Sequence, residues 1–473
     1  MEWETVVGLE THVELNTETK IFCGCTTAFG GEPNTHCCPV CTGMPGALPV
    51  LNRKVVEYAI RTGVALGGTI SPITRFDRKN YFYPDLPKAY QISQLYLPIC
   101  VGGCVTIETE DREKQIGIHE MHMEEDAGKL IHAAGRTLID YNRCGVPLLE
   151  IVTEPDFRTG AEVIAYLEQL KSMLTYLGVS DCKMQEGSLR CDVNLSVRPK
   201  GSEVLGTRTE MKNLSSFRAI AKAVEEEAKR QIQVLEAGGT VWQETRRWDE
   251  EQNCSYAMRS KETAKDYRYF PDPDLPTLQI SREEVEQAQK NLPELAPAKR
   301  QRYQKEFGLS KYDAEMLTTS RSFAAYFERL VELEVQPKVA ANWMLGDVLR
   351  DMKEQHLPME EIPLSPEHLA ALIACVTEGK INRNTASEVF SAVFHSDGDP
   401  IAYIQAHGLE QISDESAIAQ VVAQVVEQNP QSVSDWKSGK QKAFGFLVGQ
   451  TMRKLGGKGN PQLVRKLLEE QLN

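Results

Sequence analysis

Val6-Val7-Gly8-Leu9-Glu10-Thr11-His12-Val13-Glu14-Leu15 alternates with a period of two. Successive side chains of a strand point to opposite faces, so Glu10, His12 and Glu14 share one face and Leu9, Val13 and Leu15 the other. The pattern recurs in Ile118-His119-Glu120-Met121-His122-Met123-Glu124-Glu125-Asp126 and in Leu148-Leu149-Glu150-Ile151-Val152-Thr153-Glu154. From Leu189 to Arg198 the alternation is almost unbroken. Leu189, Cys191, Val193, Leu195 and Val197 form a buried side, and Arg190, Asp192, Asn194, Ser196 and Arg198 form the other. Arg208, Glu210 and Lys212 then alternate with Thr209 and Met211. One apolar and one wet face is the signature of an antiparallel sheet, and helical segments separate the strands, so the fold class is α+β.

A face that gathers carboxylates repels itself unless cations lie between them. Oxygen-rich clusters with an occasional imidazole suit Mg²⁺, which usually arrives with phosphates. Any one such strand also reads as a solvated charged face. Recurrence, and the mixture of Arg, Lys, Asp and Glu, favours a metal-and-phosphate cradle. The chain has no Gly-x-x-x-x-Gly-Lys-Ser/Thr loop, no Gly-x-Gly-x-x-Gly and no Gly-x-Ser-x-Gly elbow. If the chain consumes ATP, it does so on the carboxylate-lined sheet.

A length of 473 residues predicts two to four domains. With 41% hydrophobic and 25% charged residues, the composition is that of a soluble globular protein with ample core. The net charge of −14 argues against a broad nucleic-acid surface. No apolar run reaches membrane-spanning length, and Met1-Glu2-Trp3-Glu4-Thr5 resembles neither a signal nor a transit peptide, so no membrane association and a cytoplasmic location are expected.

Val163 to Leu177 is amphipathic and stops at Gly178; Ser215 or Ser216 can cap a helix running to Gly238-Gly239. Beyond Leu292-Pro293-Glu294-Leu295-Ala296-Pro297 the pattern is helical, with further breaks at Leu357-Pro358, Pro363-Leu364-Ser365-Pro366 and Ser396-Asp397-Gly398-Asp399-Pro400. These breaks predict a mixed domain over 1–292, a helical domain over 293–405 and a small helical tail over 406–473.

Four of the twelve cysteines have ligand spacing: Cys23-Gly-Cys25, then Cys38-Pro-Val-Cys41. Two such pairs joined by a short loop can close a tetrahedral structural Zn²⁺ site. Cys37 leaves the ligand set ambiguous, and buried cysteines without metal are the alternative. Two aromatic segments, Arg75 to Lys88 and Asp266 to Pro276, share a tyrosine cluster and a Pro-Asp-rich turn. They read as a weak pseudo-repeat, two loops at opposite rims of one site, or as shared turn chemistry. Lys79 and Lys88 among aromatics suit a phosphate or a substrate carboxylate. The tail concentrates Lys437, Lys440, Lys442, Arg453, Lys454, Lys458, Arg465 and Lys466 around a Gly456-Gly457-Lys458-Gly459-Asn460-Pro461 hinge. That run suits RNA backbone contact, or is ordinary surface on small helices.

Longer motifs carry a resemblance. Val7 to His12, Cys38-Pro39-Val40-Cys41 running into Gly43 to Pro49, Arg78 to Lys88, Glu124 to Leu130, Gly145 to Asp156, Glu186 to Asn194, Asp266 to Leu275 and Gly445 to Gln450 resemble the GatB family, the B subunits of the glutamyl/aspartyl-tRNA amidotransferases. The match extends over essentially the whole chain, with Thr11 and Glu14 where that family is expected to have Ile and Gln. The resemblance implies a cradle domain similar to glutamine synthetase, with a largely antiparallel sheet. It implies that ATP and Mg²⁺ serve to phosphorylate the side-chain carboxylate of Glu misacylated on tRNA(Gln), or of Asp on tRNA(Asn), before ammonia displaces the phosphate. The implied partners are an amidase (A) subunit that makes ammonia, a small C subunit and the misacylated tRNA, held by the helical and tail domains. Resemblance and strand geometry together give His12, Glu125 and Glu150 as metal ligands. Glu10, Glu124, Asp192 and Glu210 are further ligands or holders of metal-bound water. Arg190 and Lys79 would meet phosphate, Tyr81 lies in the same substrate-binding motif, and Lys88 stands near the ammonia. The rival readings are a tRNA-binding scaffold without catalysis and a free-standing amide ligase that binds ammonia itself.

Overall fold

A computed structural model of the chain describes residues 2–109, 113–260, 266–411, 415–456 and 459–472. The chain divides into two compact units, Met1–Leu295 and Ala296–Asn473.

The first unit is mixed α/β, and at its centre is the alternating stretch around His12. Strand β1 (Trp3–Glu14) pairs antiparallel on one side with β3 (Pro147–Thr153) and on the other with β4 (Leu189–Pro199). Strand β2 (Glu113–Glu125) lies beyond β3, and β5 (Thr209–Lys212) beyond β4. The sheet continues through β6 (Glu244–Asp249) and β7 (Cys254–Ser260) at one edge and through Cys100–Val101 and Thr69–Ile70 at the other. The named pairings are antiparallel except β5 with β6, which run parallel. Register decides what the wet face holds. His12 stands opposite Glu150 on one side and Arg190 on the other, and Glu10 stands opposite Asp192. Glu150 in turn faces His122, and Asn194 faces Glu210. Side chains directly opposite one another in an antiparallel pair are neighbours, so these pairings form continuous rows of polar groups.

The other face is apolar and covered by α2 (Gly160–Leu177) and α3 (Phe217–Glu236), which follow α1 (Arg53–Ala65) in the chain. Leu9, Val13, Met121, Val193, Val163, Tyr166 and Leu170 are buried in one core. Each of the aliphatic side chains among them contributes about 1.5–3 kcal/mol by leaving water, so a Leu9→Ala change would cost about 2–5 kcal/mol once its cavity is included. Helix α2 ends at Gly178 with φ 69°, as the sequence predicts, but starts three residues before the expected Val163, after Thr159, whose hydroxyl accepts from the Glu162 N–H. Ser216 caps α3. The two helices touch closely at Gly160: a Cβ there would lie 2.9 Å from the Ala221 carbonyl oxygen.

In the second unit the regular elements among the described residues are helices. Two separate apolar cores form, one from residues between 303 and 404 and one from residues between 418 and 472. Prolines begin helices at Pro366–Thr377, Pro400–Ala406 and Pro461–Leu472, where the ring's missing N–H would have had no intrahelical partner. Gly457 and Lys458 of the tail hinge lie outside the described residues. No helix among the described residues is long and apolar enough to cross a membrane.

Candidate active site

Three strands bring three ligand groups together. His12 on β1, Glu124 on β2 and Glu150 on β3 each offer one ligand atom, all within 4.8 Å of one another. His12 Nε2 lies 3.6 Å from Glu124 Oε1 and 3.5 Å from Glu150 Oε2. His122 joins the row, with Nε2 3.0 Å from Glu150 Oε2 and Nδ1 3.6 Å from Glu120 Oε1. Burial disfavours charge on both imidazoles, yet Glu150 and its neighbours prevail, raising His12 to about 9 and His122 to about 10. Burial would likewise raise Glu150, but the two imidazoles hold it well below the usual carboxylate range. Glu124 is pushed up, by burial and then by Glu150.

A second group stands beside the first. Glu10, Asp192 and Glu210 also place one oxygen each within 4.8 Å of one another. Lys212 Nζ holds Asp192 at 2.5 Å and Glu210 at 3.2 Å, Asn194 donates to Glu10 Oε1 at 2.8 Å, and Thr245 donates to Glu210 Oε2 at 2.9 Å. His12 and Glu150 of the first group and all three residues of the second line one cleft of about 570 Å³, which Lys79, Tyr267 and Tyr269 also line, while Glu124 is buried beside His12. Lys79 Nζ lies 5.1 Å from the Tyr267 ring centroid, and Tyr81 packs edge-on against Tyr267 at 5.9 Å. Burial opposes the charge on Lys79, while Tyr269, Glu124 and Glu150 favour it and win, so its pKa is raised.

Of the anticipated site residues, Glu10, His12, Lys79, Glu150, Asp192 and Glu210 all line this cleft. Glu125 does not stand with His12 and Glu150. It shares strand parity with Met121 and Met123, so its carboxylate leaves by the opposite face, where it pairs with Lys88 and accepts the Ile92 N–H at 2.8 Å. Glu124 takes the place expected of Glu125. Lys88 therefore belongs to a second, smaller cavity shared with Lys20, Cys41 and Gly145, and its ammonium sits 5.2 Å from the Tyr90 ring centroid. Arg190, cross-strand neighbour of His12, is committed to Asp126, with Nη2 2.6 Å from Oδ2 and Nη1 3.2 Å from Oδ1. The two aromatic loops are not at opposite rims. Phe270 pairs with Arg78 in an antiparallel bridge, and Arg78 binds Asp272 and Asp274 at 2.8 Å each. His122 and Glu120 also line the cleft, though sequence reasoning passed over them; both have the parity of Glu124 in their strand.

Elsewhere in the first unit, Cys23, Cys25, Cys38 and Cys41 each place a sulfur within 4.8 Å of the others. Tetrahedral zinc with Zn–S near ~2.3 Å needs sulfurs about 3.8 Å apart; Cys38 and Cys41 lie 4.0 Å apart and all four sulfurs within 4.8 Å, so the set could hold a metal ion. Cys37 is outside the set, its sulfur 3.2 Å from the Asn34 carbonyl oxygen. Hydrogen bonding from Cys23 comes first among the causes that lower the Cys41 thiol to about 5.

In the tail, the basic residues spread over Pro430–Lys437, Gln441–Lys454 and Pro461–Leu472; Lys440 precedes the second of these helices and Arg453 lies in its last turn. Some are neutralised locally: Lys440 pairs with Asp435 at 2.9 Å and Lys466 with Glu415 at 3.5 Å.

Known proteins share this layout in sequence. Residues 5–286 match the GatB/GatE catalytic domain, and residues 325–472 match a GatB domain. The chain is 57% identical to the B subunit of the aspartyl/glutamyl-tRNA(Asn/Gln) amidotransferase of Lachnoclostridium phytofermentans, over 100% of this chain and 99% of that protein. It is 56% identical to the corresponding protein of Caldicellulosiruptor saccharolyticus, again over 100% of this chain and 99% of the relative. The acidic cleft lies within the matched catalytic region, and on these matches the chain belongs to the GatB family, the B subunits of the tRNA-dependent amidotransferases.

Proposed function

We propose that the acidic cleft activates the side-chain carboxylate of Glu misacylated on tRNA(Gln), or of Asp on tRNA(Asn), with ATP, and then amidates it. A carboxylate resists amide formation because its leaving group would be oxide. Its oxygen attacks the γ-phosphorus of ATP, ADP departs, and the carboxyl now carries phosphate as a leaving group. Ammonia attacks the acyl carbon, inorganic phosphate leaves, and the product nitrogen sheds a proton. Stabilising the charge spread over the transferring phosphoryl oxygens is the main catalytic demand.

The observation that carries this reading is the presence of two adjacent acidic groups, from five strands, with five of their six ligand residues lining one cleft. His12, Glu124 and Glu150 would hold one Mg²⁺ and Glu10, Asp192 and Glu210 a second cation, and these ions would neutralise phosphate charge. The protein's own residues supply the rest. Lys79, set among tyrosines at the mouth of the first group, meets phosphate oxygens, and Tyr81 and Tyr267 keep it there. Lys212 fixes the second group. Next to the cleft, Val6, Gly8, Val152, Pro155 and Leu205 line an apolar groove with Arg208 at its rim, suited to the nucleoside. Arg190, on the strand next to His12, holds Asp126. Neither a nucleophile elbow nor another glutamine-hydrolysing motif is read in the sequence, so ammonia comes from a partner amidase subunit, with the small C subunit completing the assembly. The tail holds the tRNA, the four cysteines hold a structural zinc, and the complex works in the cytoplasm. A scaffold that only bound RNA would have no use for six acidic and imidazole ligands at the face where the acylated end must come.

The test is Glu124→Gln beside Glu125→Gln in the assembled complex. Glu124→Gln should weaken Mn²⁺ binding and abolish ATP-dependent transamidation while glutaminase activity persists, whereas Glu125→Gln should leave Mn²⁺ affinity intact. Near-normal amide formation by both Glu124→Gln and His12→Ala would sink the assignment.

A further inference from the structure

Lys20 takes no part in the acidic cleft and is not one of the four sulfur ligands, yet it is fully buried. Its Nζ donates to the His36 carbonyl oxygen at 2.6 Å and to Cys41 Sγ at 3.7 Å. Among the described residues no carboxylate pairs with it. Glu125, which lines the same small cavity, is already engaged by Lys88 and the Ile92 N–H. Lysine is almost never fully buried without a counter-charge, because an isolated ammonium away from water is very costly.

The cysteine cluster has the complementary problem. Four thiolates around one Zn²⁺ carry a net charge of −2, and Cys41 is buried. Backbone N–H groups relieve part of it: the Cys38 N–H points at Cys41 Sγ from 3.2 Å. Lys20 is built into the same loop by its own main chain, donating its N–H to the Cys25 carbonyl at 2.9 Å. The next residue, Ile21, donates to the Gly145 carbonyl at 3.0 Å. Gly145 has φ 83°, and a Cβ there would come within 3.3 Å of Cys41 Cβ and 3.6 Å of Lys20 Cδ, so the missing side chain leaves room for the lysine stem. A buried cation without a carboxylate thus lies against a cluster that becomes anionic when it binds metal.

We propose that Lys20 is the internal counter-cation of the four-cysteine zinc site, a positioning residue that stabilises the metal-bound sulfur of Cys41 by charge and by an N–H···S contact. The proposal rests on the reading of the cysteines as a zinc site. Groups that hydrogen-bond to metal ligands tune both affinity and ligand electronics, and losing one typically costs about 10–100-fold in affinity.

The experiment compares the full chain with Lys20→Met, which keeps length and removes charge, and with Lys54→Met as an exposed-lysine control. Zinc affinity is read by chelator competition, and the Co²⁺-substituted protein is read by absorption. Lys20→Met should bind zinc about 10–100-fold more weakly. Its sulfur-to-cobalt charge-transfer bands should move to lower energy, because an uncompensated thiolate gives up its electrons more easily. The d–d bands should keep their four-coordinate form, which a merely misfolded loop would not. Lys20→Gln replaces Lys20→Met if the latter does not fold, and Lys20→Arg, which restores the charge, should recover part of both effects. Wild-type affinity with unshifted bands in the neutral variants would overturn the role of Lys20 while leaving the zinc site standing. A wild-type chain that takes up neither metal would overturn the zinc site and the proposal together.

Discussion

Divalent-metal binding at the His12, Glu124 and Glu150 group should strengthen steeply with pH. Imidazole binds a metal only in its neutral form, and metal binding therefore expels the proton it carries. Glu150, Glu124 and Asp192 raise His12 to about 9 against the opposing effect of burial. At pH 7 only about 1% of the metal-free sites then have a neutral His12, so apparent affinity is roughly 100-fold, or about 2.7 kcal/mol, below its alkaline limit. From pH 7 to 8 apparent affinity should gain roughly ninefold and from 8 to 9 about fivefold, levelling off above about pH 10. Mn²⁺ titrations followed by electron paramagnetic resonance would give the slope. Calorimetry in two buffers of different ionisation enthalpy should find about one proton released per metal at pH 7. His12→Gln, which has no proton to lose, should bind more weakly and with a flatter slope. An affinity constant from pH 6.5 to 9 in the wild-type chain would refute the reasoning, because it would mean that the carboxylates do not hold His12 protonated.

The same imidazoles set a stability profile in the absence of metal. His12 and His122 are raised above the ordinary histidine value of 6.5, so their stabilisation is complete below about pH 6.5 and is lost as pH climbs through about 9 and 10; melting temperatures in EDTA should fall across that window, and a flat profile would count against the ion-pair row. Purified chain should carry about one zinc, and Cys23→Ser with Cys41→Ser should release it and lower the melting temperature, whereas Cys37→Ser should do neither. In the tail, Lys437, Lys442, Arg453 and Lys454 changed together to Gln should raise the KM for misacylated tRNA, leave ATP binding unchanged and make the salt dependence of tRNA binding shallower. Unaltered affinity and slope would place the RNA elsewhere. Point substitutions suit this test better than truncation, because Leu447, Val464 and Leu468 share a core with Ile418, Val422 and Val425, and deleting them would strip that core.

Local structure was legible wherever one rule acted alone. Period-two alternation marked β1 and β4 with their buried sides, and Gly178 and the Ser215-Ser216 pair marked helix ends, of which Ser216 is the cap, because a left-handed turn and an N-terminal cap each need particular residue types. Register was not legible. That His12 faces Glu150 and not a neighbour two residues away depends on how distant segments pair, and several registers satisfy the same alternation. The side-by-side aromatic loops were hidden for the same reason: nothing local to Arg78 announces that Phe270 and Asp272 will pair with it.

Glu124 and Glu125 show what strand parity implies when it is applied residue by residue. In Met121-His122-Met123-Glu124-Glu125 the methionines occupy the apolar face, so parity alone sends Glu125 with them and puts His122 and Glu124 beside His12 and Glu150. A carboxylate then points toward the core side, which normally excludes charge. The conflict is resolved by a contact the sequence could not show: Lys88 comes in on that side, joined by the Ile92 N–H, and the buried charge is paired. The two adjacent glutamates therefore serve separate groups, Glu124 standing with His12 and Glu150 and Glu125 lining the cavity shared with Lys20 and Cys41. A substitution at one should be silent in the metal titration that reports on the other, and this separation is a property of strand geometry that no likeness in sequence motif supplies.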